Sequence, residues 1–161
     1  MDLDPIGTAY SAFHRVVLQR TVHSDALSVW RAVSEPAGLS AWLGRLEGPP
    51  LGLGVVFDLW HEEEVCSTHT VLKWVPPRLL AVTWEFPDEP PSRLQLVVEP
   101  DGAGAVVTLE HEDADDPVAY AAGWHEHLDF LAEYLHGRPR AFEGFWTDYE
   151  ELIQRYGTGA Q

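Results

Sequence analysis

With 161 residues, 45% hydrophobic and 22% charged, the sequence has the size and composition of one globular domain. Its 10 basic and 26 acidic residues give a formal net charge of −16, which argues against nucleic acid and anionic membrane surfaces as partners. The lone cysteine, Cys66, excludes an internal disulfide. A reducing, cytoplasmic setting is expected, since no apolar run reaches the length of a membrane span and Met1 to Thr8 does not read as a signal peptide.

In chain order, the β-branched, partly alternating stretch 13–23 predicts a first strand. Ser24 or Asp25 can cap a short helix with Leu27, Val29, Trp30 and Val33 on one side. Pro36 opens a second short helix that carries Leu39, Trp42 and Leu43 and ends at Gly44. From 53 to 112 the period becomes two, and strands are expected near 53–60, 65–74, 79–86, 92–99 and 104–111. The punctuation between them, Glu62 to Glu64, Pro76-Pro77, Pro87 to Pro91 and Pro100-Asp101-Gly102, is short, so the strands form an antiparallel meander. Asp115, Asp116 and Pro117 start a long helix whose Tyr120, Trp124, Leu128, Leu131 and Leu135 recur at three and four residues. Gly137 ends it. A last amphipathic helix over about 139–156 carries Phe142, Phe145, Trp146, Tyr149, Leu152, Ile153 and Tyr156. The expected fold is therefore α+β: a six-stranded, curved antiparallel sheet wrapped around the long helix, with one helix appended. The space between a curved sheet and one helix is hard to fill, which makes it a natural ligand site.

Several motifs in this order resemble the START-related helix-grip superfamily, and within it the branch similar to the activator of the heat-shock-protein-ninety ATPase. They are Val29-Trp30, Pro36 and Trp42 before Gly44, Gly52 to Gly54 leading into a strand, the run Val75 to Trp84 with its double proline and Thr83-Trp84, Val106 to His111, and Gly123-Trp124. The resemblance covers about residues 13–136, and the appended helix lies beyond it. It implies the helix-grip fold and three functions: a small-molecule binder, a polyketide cyclase- or aromatase-like enzyme, or a co-chaperone-like interaction protein acting on a heat-shock ATPase. Fold alone does not choose among them.

The residues favour the first. Seven tryptophans in 161 residues offer broad apolar surface with one N–H donor each. Most tryptophans serve as core, Trp30 and Trp42 above all, while Trp124 lies on the helix face expected to look at the sheet. Strand parity and the helix stripe give a candidate lining of Phe57, Leu59, Trp74, Leu80, Val82, Trp84, Leu94, Leu96, Leu109, His111, Trp124, His127, Leu128 and Leu131. His111 and His127 would supply polar atoms inside an apolar pocket, against the simpler reading of two hydrogen-bonded structural histidines. His125 and His127 point to different sides of a helix and cannot chelate one metal from one face. His61, Glu62 to Glu64 and His69 read as a solvated hairpin turn, Asp58 as an outward carboxylate and Cys66 as a small packing residue. No nucleophile elbow, phosphate loop or metal spacing is present, so neither cofactor nor metal is expected. The expected partner is a lipid-, polyketide- or flavonoid-like small molecule. The appended helix can cap its cavity, cover a sheet edge or join two chains in a homodimer.

Overall fold

A computed structural model describes residues 2–161. The period-two segments become strands because each buries alternate residues. In β8, Gly104–Glu112, the residues Ala105, Val107, Leu109 and His111 face inward. Among the described residues eight strands form, not six: β1 is Gly7–Tyr10, β2 Arg15–Val22, β3 Arg45–Glu47, β4 Val56–Glu62, β5 Val65–Val75, β6 Leu79–Trp84 and β7 Ser92–Asp101. The two unexpected strands, β1 and β3, are the edges, with the order β1-β2-β8-β7-β6-β5-β4-β3 and every pairing antiparallel. Both are only three or four residues long, too short for an alternation to be read.

Two register shifts bend the sheet, one between Trp60 and Glu62 in β4 and one between Val71 and Lys73 in β5. The second reverses side-chain parity. Val71 is buried, Leu72 and Lys73 are exposed, and Trp74 turns inward onto Trp30, with ring centroids 5.4 Å apart.

Helix α1, Ala26–Ser34, is capped by the Asp25 carboxylate, which accepts from Ser28 N and Ser28 Oγ at 2.9 and 2.7 Å. Helix α2, Pro36–Trp42, sits tightly on it: a Cβ at Gly38 would lie 2.4 Å from Ala32 Cα. The Trp42 indole N–H donates to the Ala32 carbonyl at 2.9 Å, so Trp42 is structural, as its position in the sequence suggested. Helix α3, Pro117–Leu135, starts with Pro117 in its first turn and Asp116 accepting from Ala119 N at 3.1 Å.

The residues expected to form one appended helix instead form a 3-10 turn, Phe142–Gly144, and then α4, Tyr149–Thr158. Gly144 is a poor helix-interior residue, and Thr147-Asp148 favours a helix start over continuation. Leu152 and Tyr156 of α4 are buried. Because α4 and β1 cover the far side of α3, that helix is buried all round, and His125, Glu126 and Asp129 lie inside the protein with Leu128 and Leu131. Arg20 of β2 meets Asp129 at 2.6 Å, and Tyr156 bonds the His125 ring at 2.8 Å. His125 and His127 thus leave α3 on different sides, as their spacing requires.

Candidate functional site

Asp116, Ala119, Tyr120, Gly123, Trp124 and His127 recur at intervals of three and four and so share one face of α3. That face forms one wall of a cavity of about 760 Å³. Opposite it stand His61, Glu62 and Val65 at the tip of the β4–β5 hairpin, then Trp84, Phe86 and Glu89 at and beyond the end of β6. Leu43 contributes behind α2, and Phe142, Glu143, Phe145, Trp146 and Tyr149 of the C-terminal segment complete the enclosure. Small-molecule sites fall in the range of about 300–1,000 Å³ and are mainly apolar with a few placed polar groups, which describes this one.

The aromatic wall is built by ring-on-ring packing. Trp84 lies against Trp124 at 4.8 Å and His69 at 4.6 Å, and Phe145 lies against His127 at 4.5 Å. Behind the wall, polar groups fix these rings. Trp124 Nε1–H donates to His111 Nδ1 at 3.0 Å, and His111 Nε2–H donates to Ser92 Oγ at 2.7 Å. Ser92 Oγ–H in turn donates to the Trp84 carbonyl at 3.1 Å. Both nitrogens of His111 are therefore used within the protein, and burial pushes its pKa down to about 3. His127 Nδ1–H donates to the Trp42 carbonyl at 2.7 Å, which leaves Nε2 as the acceptor nitrogen of a residue on the cavity wall. Burial holds this imidazole neutral as well, with its pKa lowered to about 3.

Ser67 Oγ stands 2.7 Å from both His61 Nε2 and His69 Nε2. His61 Nδ1 is 3.1 Å from the Leu43 carbonyl and His69 Nδ1 2.8 Å from that of Thr83. With both Nδ1 protons given to carbonyls, the single hydroxyl proton can serve only one of the two imidazoles at a time. Burial lowers the pKa of both rings, that of His69 to about 4. The expected solvated turn is thus corrected: Glu62 to Glu64 are exposed, whereas His61 turns inward to the cavity and His69 is fully buried. Burial, and the hydrogen bond it donates to Glu89, push the Tyr120 phenol pKa up. Trp84 is 4% exposed, and its buried indole N–H lies beside the Tyr120 oxygen without a well-formed hydrogen bond. Asp58 faces outward and accepts from Thr68 Oγ1 at 2.7 Å.

Of the fourteen residues singled out from the sequence, Trp84, Trp124 and His127 stand on the cavity wall. Phe57, Leu59, Leu80, Val82, Leu94 and Leu96 surround only a void of about 20 Å³ deeper between sheet and helices, too small for a guest. Leu109, His111, Leu128 and Leu131 are fully buried core, and Trp74 packs on Trp30 away from the cavity. The middle of the grip is therefore filled, and the space lies at one end of it. Tyr120 and Gly123 were legible as neighbours of Trp124 on the helix. His61, Phe86, Glu89 and the aromatic residues 142–149 carried no such signal, because loop and turn geometry brings them there.

No curated protein matches this chain in sequence. Among solved structures it is similar to CalU16 from Micromonospora echinospora, with TM-score 0.77, 23% identity, and coverage of 89% of this chain and 86% of that one. It is also similar to a protein from Bordetella parapertussis, with TM-score 0.70, 26% identity, and coverage of 89% and 85%. For DynU16, from the dynemicin biosynthetic locus, the TM-score is 0.73 and the identity 21%, covering 78% of this chain and 49% of that one. The sequence model of the family described as Activator of Hsp90 ATPase homolog 1-like protein matches residues 24–136, from the cap of α1 to the end of α3. The chain belongs to that family, within the START-related helix-grip superfamily.

Proposed function

We propose that this protein binds one hydrophobic or aromatic small molecule in the cavity at the end of the grip. The observation that carries this reading is the cavity of about 760 Å³ itself, walled by eight aromatic side chains. Trp84, Trp124 and Trp146 on the wall make the protein its own reporter. Titration with fatty acids, flavonoids and polyketides is expected to quench or blue-shift tryptophan emission for at least one class. No change with any class, together with stimulation of a heat-shock ATPase by the purified protein, would replace this reading with the co-chaperone one.

One observation favours an enzyme as the second reading. His61 and His127 place two imidazoles on the wall, where a polyketide cyclase- or aromatase-like reaction would need a group that exchanges a proton. Turnover of a linear polyketide that is lost in His127→Phe, with binding retained, would establish it. A second copy of the chain remains a proposed partner, supported by the similar Aha1 protein of Colwellia psychrerythraea, whose solution structure is a dimer.

A further inference from the structure

The charges around the cavity are all of one sign. Glu62, Glu89, Asp115, Asp116 and Glu143 stand on its wall, and among the described residues no lysine or arginine does. The chain as a whole carries a net charge of −16, so nothing in the wider field offsets them. The two imidazoles on the wall add no compensating charge, since burial keeps both neutral. The wall also carries Trp84, Tyr120, Trp124 and Trp146, aromatic rings of the kind that attract a cation once water is displaced.

Inside the cavity the polar groups are sparse and specific. The Trp84 indole N–H is buried beside the Tyr120 oxygen and is not open to the cavity. His127, its Nδ1–H already given to Trp42, presents a lone pair that can receive an N–H. A carboxylate, sulfate or phosphate guest would find five like charges. An ammonium guest would find the His127 lone pair, aromatic rings and five carboxylates, four of them solvent-exposed.

Resting on the binding function proposed above, we infer that the cavity selects organic cations over anions of the same shape: amines protonated at neutral pH, or quaternary ammonium groups, carried on a hydrophobic body. Fatty acids then become poor ligands, and neutral flavonoid- or polyketide-like molecules intermediate ones.

The test is calorimetric titration at pH 7.4 and 0.15 M salt, where charges more than about 8 Å away are largely screened, with three probes of one shape: 1-naphthylmethylamine, 1-naphthalenemethanol and 1-naphthoate. The amine is expected to bind at least tenfold tighter than the naphthoate, with the alcohol between them. Glu62→Gln with Glu143→Gln, both exposed at the rim, is expected to weaken amine binding at least threefold. The same change in net charge at the far end of β7, Glu99→Gln with Asp101→Asn, is expected to leave it unaltered. Naphthoate binding as tightly as the amine, or an equal effect from the remote pair, overturns the charge inference while the binding reading stands. Failure of all three probes and of every class in the fluorescence titration overturns the binding reading, and this inference with it.

Discussion

Replacing Gly123 separates the cavity from the fold more cleanly than any other change. Gly123 lies in the interior of α3 on the cavity wall, and a Cβ added there would meet no atom within 4 Å. Gly123→Leu therefore removes the helix penalty of glycine, about 0.5–1 kcal/mol, with open space at its Cβ. Its side chain enters the space between Tyr120 and Trp124 that a guest ring would use. Urea unfolding followed by far-UV circular dichroism is expected to show stability raised by about 0.5–1 kcal/mol. Ligand affinity, read by tryptophan fluorescence, is expected to fall at least tenfold, equivalent to about 1.4 kcal/mol. Gly123→Ala should give the same stabilisation with a smaller loss of affinity. A lower urea midpoint would mean that the space beside Gly123 is not open. Unchanged affinity with raised stability would mean that the ligand sits elsewhere.

Three further outcomes concern the buried charges. Burial, with Asp129 and Asp148 nearby, raises the Glu126 pKa from 4.5 to about 7, so above pH 7 the folded state holds an unfavourable buried charge worth up to about 3 kcal/mol. Glu126→Gln should stabilise the protein by about 1–3 kcal/mol at pH 8.5 and little at pH 5; destabilisation at pH 8.5 in urea titrations would show that Glu126 is ionised and held by a cation such as Arg140. The imidazoles of His69, His111 and His127 titrate near 6.5 when unfolded but at about 4, about 3 and about 3 when folded. Between those values the unfolded chain binds more protons, so stability should fall as pH drops below about 6.5 and go on falling to about 3; a urea midpoint that is flat from pH 6.5 to 4.5 in Glu126→Gln, where the opposing carboxyl is gone, would refute this. Arg20→Met leaves the buried Asp129 carboxylate without its 2.6 Å partner and should cost about 3–5 kcal/mol in thermal or urea unfolding. Adding Asp129→Leu should recover most of the loss, and a single variant as stable as the native chain would show that the pair contributes nothing.

How far sequence reading reaches follows from the range of the interactions it uses. Hydrophobic period, capping residues and turn chemistry are local. They are visible in Asp25 before α1, Asp116-Pro117 before α3 and the alternation of β4 to β8, and they were enough for the meander, the long helix and the family. Trp124 and His127 were legible as cavity-wall residues because they share a helix face with Tyr120 and Gly123, a fact of spacing alone.

What the tertiary structure decided lies where distant segments meet. The edge strands Gly7–Tyr10 and Arg45–Glu47 exist because a neighbouring strand offers unpaired backbone groups, not because three or four residues specify a strand. The bulge at Val71–Lys73 turned Trp74 onto Trp30 through a one-residue change of parity that leaves no mark in composition. The position of the cavity was set by volume: leucine, valine and phenylalanine side chains pack the middle of the grip to a void of about 20 Å³, and the larger space stands where Gly123 and the bent C-terminal segment line it. Packing density is a property of all facing surfaces together, so no single segment of the chain encodes it.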